Sequence, residues 1–359
     1  MSTAAAMNDV FMKLGHKVKV WQIDDSPTAS HSIETTEAWY SPDSGSVTVQ
    51  DRHVSRADLD TWLEQRTKAT NQGVKILVMR LVWVRVDPTL KQSNLSQSTR
   101  DILLDAFGVR LAFNYFQSFI TGIVALPEET KKRRQAYAFS YAPKLAAIWS
   151  SDQHPPPYRC SILTQGIIFV REPEHTPKME DRVSKTLRET LASGWDSNLI
   201  QNAMFPAYLL ALLLGVQIDF TQQGITKKVQ SLESRTGYHD FATRQEEAAT
   251  GLKQDLSAQA SGWATKLASV RRKSRTIEEL LGMIRERLAM EEEKIRNGSC
   301  ELEPKWLEGL DLFRHQVGVL KYRHDMQALD TQYMTKRVEI QIQAVSSFPH
   351  NINRSLPYP

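Results

Sequence analysis

Cysteine is almost missing from this chain: Cys160 and Cys300 are the only two in 359 residues. They form no CxxC pair, which removes both a disulfide framework and a zinc knuckle, so free thiols in a reducing compartment are expected. No charge of one sign dominates. Against 45 basic residues stand 41 acidic ones, a net charge of +4, too small an excess to point to nucleic acid as a partner. Two local basic clusters, Lys131-Lys132-Arg133-Arg134 and Arg271-Arg272-Lys273-Ser274-Arg275, read first as solvated faces, with an anionic surface such as lipid head groups as the functional alternative. Neither is interleaved with the aromatics that single-stranded nucleic acid needs. Long apolar runs are also lacking. The longest, Phe205 to Val216 (FPAYLLALLLGV), is twelve residues, about 18 Å of helix against about 30 Å of hydrocarbon. No segment able to cross a membrane is expected, and this run reads as a buried core helix flanked by Asn202 and Gln217. Met1 to Gly15 has no apolar stretch of signal-peptide length, and Asn297-Gly298-Ser299 reads as a turn although it fits a glycosylation sequon.

Site motifs are missing too. The sixteen glycines are scattered and form no phosphate-binding loop, and neither a GxSxG elbow nor an HExxH pair occurs. His315 and His324 lie nine residues apart, a spacing that on a helix points them away from each other and from any shared ion. Glu246-Glu247 and Glu278-Glu279 read as solvated helix surfaces, although carboxylates on long helices can hold hard cations weakly between subunits. His154 sits in His154-Pro155-Pro156-Pro157, an extended loop. No catalytic residue, no cofactor-binding residue and no metal ligand is assigned, and an enzyme reading finds no support.

What is present falls into two halves and a tail. Residues 1–175 alternate strand-like and helix-like stretches. Val18 to Ile23 and Ser46 to Gln50 alternate as strands do, and Val74 to Val86 (VKILVMRLVWVRV) is the β-branched run of a central strand. Ser55, with Asp58 three positions on, predicts the N-cap of a helix whose apolar face is Leu59, Trp62 and Leu63. Ser96 to Phe119 predicts helices broken at Gly108. Ala136 to Ser150 and Arg159 to Arg171 read as strands around the loop from Asp152 to Tyr158. This half is therefore an α/β region, a mixed sheet with helices packed on it.

Residues 176–346 carry no strand signal. Thr176 to Ser193 is helical and charged, and Lys227 to Ala260 is helical with an interruption at Gly237. From Trp263 to Arg296, the residues Trp263, Leu267, Val270, Ser274, Ile277, Leu281, Ile284 and Leu288 step by four and three, holding one stripe on one helix face. A further helix from Pro304 to Val345 follows the turn. Its stripe begins with Leu310, Phe313, Val317 and Leu320 and is expected to continue on a shifted face through Met326, Leu329, Tyr333 and Ile340. Long helices joined by a short turn pack as an antiparallel hairpin that needs a third helix or neighbouring chains to cover it. Residues 347–359, rich in proline, are expected to be a disordered tail.

Two stretches of the helical half carry a resemblance. Val229 to Phe241 (VQSLESRTGYHDF) resembles the Glu-x-x-Thr-Gly-aromatic signature opening the helical region of fungal CorA-like magnesium transporter proteins. Leu329 to Val345 (LDTQYMTKRVEIQIQAV) resembles that family's membrane approach, where a Tyr, an Arg and a Gln are matched by Tyr333, Arg337 and Gln341. Ala138 to Ser150 and Leu163 to Phe169 resemble its α/β-domain strands. The family's Gly-Met-Asn pore motif and its two spans are not in this sequence. The resemblance implies the cytosolic domain of a divalent-cation transporter, with a regulatory or assembly role and no pore of its own. It implies a homo-oligomer through the long helices, a pentamer as in the family, on the cytoplasmic side of a membrane reached only through a segment not in this chain. It also implies weak Mg²⁺ binding between subunits, with His324, Gln327 and Gln341 as polar positions able to line a central axis. The alternative is a soluble helical scaffold or interaction module unrelated to ion transport.

Overall fold

The structure, a computed structural model, describes residue 21 and residues 23–25, 32–71, 73–87, 92–117, 121–126, 134–141, 144–153, 162–171, 183–236, 253–296 and 304–347. Outside these lie Cys160, Cys300, Lys131 to Arg133, His154 to Pro157, Gly237 to Phe241, Glu246-Glu247, Asn297 to Ser299, most of the expected first strand and the tail. By contacts the chain forms two compact units, Met1–Leu213 with Glu279–Gly318, and Leu214–Glu278 with Val319–Pro359.

The first unit holds a mixed sheet, with ten strands among the described residues. They are β1 (Asp24–Asp25), β2 (Ser32–Ser41), β3 (Ser46–Ser55), β4 (Thr67–Thr70), β5 (Gly73–Val86), β6 (Gln92–Ser93), β7 (Thr121–Ala125), β8 (Gln135–Tyr141), β9 (Leu145–Gln153) and β10 (Ile162–Arg171). The main order is β1-β6-β5-β10-β9-β8-β7, with β2 pairing both β3 and β5, and β4 pairing β5. β5 and β10 run parallel from Met79 opposite Thr164 to Val86 opposite Arg171. The long β-branched run predicted as a central strand is therefore central. Its residues from Ile76 to Trp83 are all buried, the pattern of a strand covered on both faces.

Among the described residues this unit has the short helices α1 (Leu59–Glu64), α2 (Gln97–Phe107), α3 (Arg110–Phe116) and α4 (Val183–Ala192). A fifth, α5, spans Ser197–Ile200. The expected break at Gly108 is the C-cap of α2, at φ 66°, a left-handed conformation that glycine adopts without Cβ strain. A side chain there would also meet Arg134, whose Cδ lies 2.7 Å from the Cβ position. Leu103, Leu104 and Phe107 of α2 and Phe113 and Phe116 of α3 join Val82, Val84, Ile148 and Phe169 of the sheet in one core.

Two expectations need correction here. Ala136 to Ser150 is not one strand but the antiparallel pair β8 and β9. The helix after Ser55 starts at Leu59 rather than at Arg56. Ser55 ends β3, and its hydroxyl donates to Asp58 Oδ2 at 2.6 Å, so the Ser–Asp pair closes a turn before the helix rather than capping it.

One buried ion pair stands inside the sheet core. Glu37 on β2 accepts from Arg80 Nε (3.1 Å), from Trp62 Nε1 (2.7 Å) and from Trp39 Nε1 (3.2 Å). Both Glu37 and Arg80 side chains are fully buried. Burial pulls the Arg80 pKa down to about 10, and Glu37 opposes that fall. A buried charge pair persists only where hydrogen bonds replace the lost water, and Leu63 and Gln65 carbonyls take two more Arg80 donors.

Three long helices complete the chain: α6 (Phe205–Thr236), α7 (Lys253–Arg296) and α8 (Pro304–Ser347). The fold class is the one expected, a mixed sheet with packed helices followed by long helices. All eight residues of the predicted α7 stripe, from Trp263 to Leu288, are buried. The membrane expectation is corrected. The apolar run continues as a 32-residue helix, so Phe205–Ser234 is long and apolar enough to cross a membrane by length and composition, with 67% of its most apolar window buried. The twelve-residue argument failed because polar residues such as Gln217, Asp219 and Gln222 end the apolar run without ending the helix.

Candidate functional site

The second unit builds its interior from the later part of α6, the earlier part of α7 and the later part of α8. Its apolar core is Ile225, Val229 and Leu232 from α6, Leu256, Ala260, Trp263 and Leu267 from α7, and Met334, Val338 and Val345 from α8. Between such layers the α8 face turned inward is polar. His324, Gln327, Thr331 and Gln341 are 1%, 5%, 2% and 1% exposed. Burying hydrogen-bonding groups without partners would cost about 1–3 kcal/mol each, so the partners decide whether this face can exist.

They are supplied by α6 at matching helical spacing. Gln327 donates from Nε2 to the Gly215 carbonyl at 3.0 Å and also to Asp219. Gln222 donates from Nε2 to the Gln327 carbonyl at 2.7 Å and to Thr331 Oγ1 at 2.8 Å. Arg323 pairs with Asp219. Gly215, Asp219 and Gln222 sit at i, i+4 and i+7, and Arg323, Gln327 and Thr331 at i, i+4 and i+8, so each set lies along one strip of its helix. That periodicity of polar residues is the sequence signal that could have found this ladder.

Further along the same two helices, Arg337 donates from Nε to Glu233 Oε1 at 2.8 Å and from a terminal nitrogen to Glu233 Oε2. The fork is bidentate, the strong form of an Arg–carboxylate contact. The Glu233 hydrogen bond holds the Arg337 pKa above its ordinary value. The Arg337 guanidinium also lies 5.4 Å from the Tyr333 ring centroid. Glu233 opens the Glu-x-x-Thr-Gly-aromatic stretch, and Tyr333, Arg337 and Gln341 are the matched residues of the closing stretch. The two stretches carrying the sequence resemblance thus meet through one ion pair, 104 residues apart in the chain.

On the α7 side, Ser274 Oγ lies 3.3 Å from His324 Nε2, while His324 Nδ1 is buried without a hydrogen-bond partner. Desolvation lowers the His324 pKa, and nearby Glu278 and Asp325 oppose that fall. Beside this contact a groove of about 530 Å³ is lined by Arg271, Arg275 and Glu278 of α7 and by Thr331, Lys336 and Glu339 of α8, among others. The second basic cluster is thus a solvent-facing rim, with Arg271, Arg272 and Arg275 exposed and Ser274 buried. Of the first cluster, Arg134 is buried and holds Asp152 and the Ala106 carbonyl.

The two histidines of α8, which their spacing keeps apart, lie in different environments. His315 is exposed and His324 buried. His324, Gln327 and Gln341 point inward, whereas Met326, Leu329, Tyr333 and Ile340, expected to continue the buried stripe, are 44%, 55%, 59% and 50% exposed. The buried face continues straight from Leu320 at four- and three-residue steps, and its polar members are tolerated because α6 and α7 present matched groups. Among the described residues no group of three or more His, Cys, Asp or Glu is placed to hold a metal ion.

No model of a known protein family matches the chain. No curated protein matches it. A solved structure of the full-length CmaX protein is similar over 89% of this chain and 79% of its own, at 12% identity and a TM-score of 0.47.

Proposed function

We propose that this chain is the cytosolic domain of a CorA-like Mg²⁺ transporter, with a regulatory and assembly role. The observation that carries the reading is the Glu233–Arg337 fork. It joins the two stretches in which the sequence resembles that family, at positions belonging to the resemblance itself. Under this reading the domain stands on the cytoplasmic side of a membrane. Its copies assemble through the long helices, as a pentamer if the family pattern holds, and Mg²⁺ binds weakly between copies rather than inside one.

The test is light scattering and thermal unfolding of the chain in chelator and in millimolar Mg²⁺. The expected outcome is a larger assembly and a higher Tm with Mg²⁺, because an ion bound only by the folded assembly stabilises it by mass action. Mass and Tm indifferent to the ion would refute the sensing role. The second reading, a helical scaffold or interaction module unrelated to transport, is favoured by the apolar residues exposed along α8. It predicts assembly without any response to Mg²⁺.

A further inference from the structure

The groove beside Ser274 lies wholly within the second unit, and its walls are polar: of its lining residues Ala328 alone is apolar. On α7, Arg271, Ser274, Arg275 and Glu278 stand at i, i+3, i+4 and i+7, one strip of one helix face. On α8 the lining strip from Ala328 to Glu339 includes Lys336 and runs about 16 Å at 1.5 Å per residue. Arg271 and Arg275 repel one another, since like charges at i and i+4 on a helix are destabilising. Glu278 meets only Arg275 of the two, at 3.4 Å with side chains 73% and 51% exposed, a contact that contributes at most about 1 kcal/mol. Between the two arginines Ser274 is 8% exposed, and its Oγ is bonded to His324 Nε2. His324 Nδ1 is buried without a partner, and a buried N–H with no acceptor would cost about 1–3 kcal/mol. The neutral ring therefore carries its proton on Nε2 and donates it to Ser274 Oγ, which leaves the serine hydrogen over. Thr276 and Thr335 donate theirs to carbonyls one turn back, of Arg272 and Thr331. Ser274 makes no such bond among the described residues, so a recessed hydroxyl donor opens on the groove.

We infer that this groove binds a small soluble phosphate ester, its phosphate held by Arg271, Ser274 and Arg275 and its hydroxylated body by Lys336 and Glu339. A phosphate suits the α7 strip because guanidinium forks match its oxygens and its charge offsets the repulsion between the two arginines. The volume, about 530 Å³, falls in the range of small-molecule sites. A sugar-like body fits the α8 side, since a hydroxyl can accept from Lys336 Nζ and donate to the Glu339 carboxylate, whereas a bare anion can do only the first. No aromatic ring lines the groove among the described residues, so a nucleobase would have nothing to stack on. An anionic membrane is the poorer source of phosphate. Glu278 and Glu339 would face its negative surface, which attracts clusters of Lys and Arg. The inference does not rest on the transporter reading and invokes no divalent cation.

Calorimetric titration of the full chain with glucose 6-phosphate should show single-site binding with a Kd below about 1 mM, weakened by salt. Arg271→Ala with Arg275→Ala, two changes at exposed sites, should weaken it about 10-fold or more while circular dichroism keeps its helix content. Arg272→Ala, in the same basic run but outside the groove, should change it by less than about twofold. Glu339→Ala should weaken glucose 6-phosphate relative to inorganic phosphate by about threefold or more, as a contact to the body requires. No binding at about 10 mM ester overturns the inference. Equal losses from Arg272→Ala and from the double change also overturn it, because the attraction is then diffuse rather than sited. So does sedimentation of the chain with phosphatidylcholine vesicles containing phosphatidic acid when glucose 6-phosphate does not bind, which makes a lipid head group the source of the phosphate.

Discussion

The Glu233–Arg337 fork can be tested by taking it apart in a double-mutant cycle. The two side chains are 11% and 18% exposed, so water can replace little of what each loses when its partner goes. Arg337→Ala removes two charge-assisted hydrogen bonds and leaves a largely buried carboxylate. A fully buried orphan charge costs about 3–5 kcal/mol, and hydrogen bonds to charged groups contribute about 1.5–3 kcal/mol. The residual exposure and the rim position place the expected loss at about 2–3 kcal/mol. Glu233→Ala should cost a similar amount, because it strands the guanidinium. The double variant should cost clearly less than the sum of the two, by a coupling of about 1.5–3 kcal/mol. Arg337→Lys keeps the charge but loses the planar fork, and should recover less than half of the loss. The assay is urea unfolding followed at 222 nm, with the denaturant slope checked for constancy so that midpoints report stability alone. A coupling below about 0.5 kcal/mol would refute the argument, since the pair would then behave as an ordinary surface contact.

Other expectations follow from the same structure. Arg80→Met strips the fully buried Glu37 of its buried counter-charge, leaving the partly exposed Arg52 at 3.4 Å, and should destabilise the sheet unit by about 3 kcal/mol, the low end for a broken buried pair, read as a fall in Tm. Gly166→Ala would set a Cβ 2.7 Å from the Ile148 carbonyl oxygen and from Trp149 Cβ, costing about 1–3 kcal/mol by overpacking. Gly215→Ala places its Cβ no nearer than 3.8 Å to Gln327 Oε1 and should stabilise α6 by about 0.5–1 kcal/mol; opposite shifts in thermal midpoint check the two. His324 has a folded-state pKa lowered from 6.5, chiefly by desolvation, with Glu278 and Asp325 opposing and Lys321 assisting. The unfolded chain therefore takes up the proton first as pH falls through that region, and stability declines with acidification. Tm should drop between about pH 7.5 and about pH 5.5, and His324→Gln should shrink the drop; an unchanged profile would rule out His324 as its source.

How far the fold was legible depended on the signal each element carried. The β5 run, the Gly108 break and the α7 stripe were read correctly, because β-branched content, a left-handed cap and four–three spacing are local properties. The β8–β9 turn was missed because the apolar run from Ala136 to Ser150 looks continuous. The α8 face was misassigned for a different reason. Met326, Leu329, Tyr333 and Ile340 are apolar and periodic, as a buried stripe would be, and nothing local distinguishes a seam covered by the same chain from one left outside. The Glu233–Arg337 contact was invisible for want of distance information, although each half of it had been picked out by resemblance.

Sequence alone was sufficient for the class of fold, for the absence of the familiar catalytic motifs and for the helical character of the second half, since composition and periodicity act over one or two turns. Tertiary structure alone decided which face of α8 is inside. That choice rests on Asp219, Gln222 and Ser274 lying opposite Gln327, Thr331 and His324, because a polar side chain can be buried only where another element brings its hydrogen-bond partner.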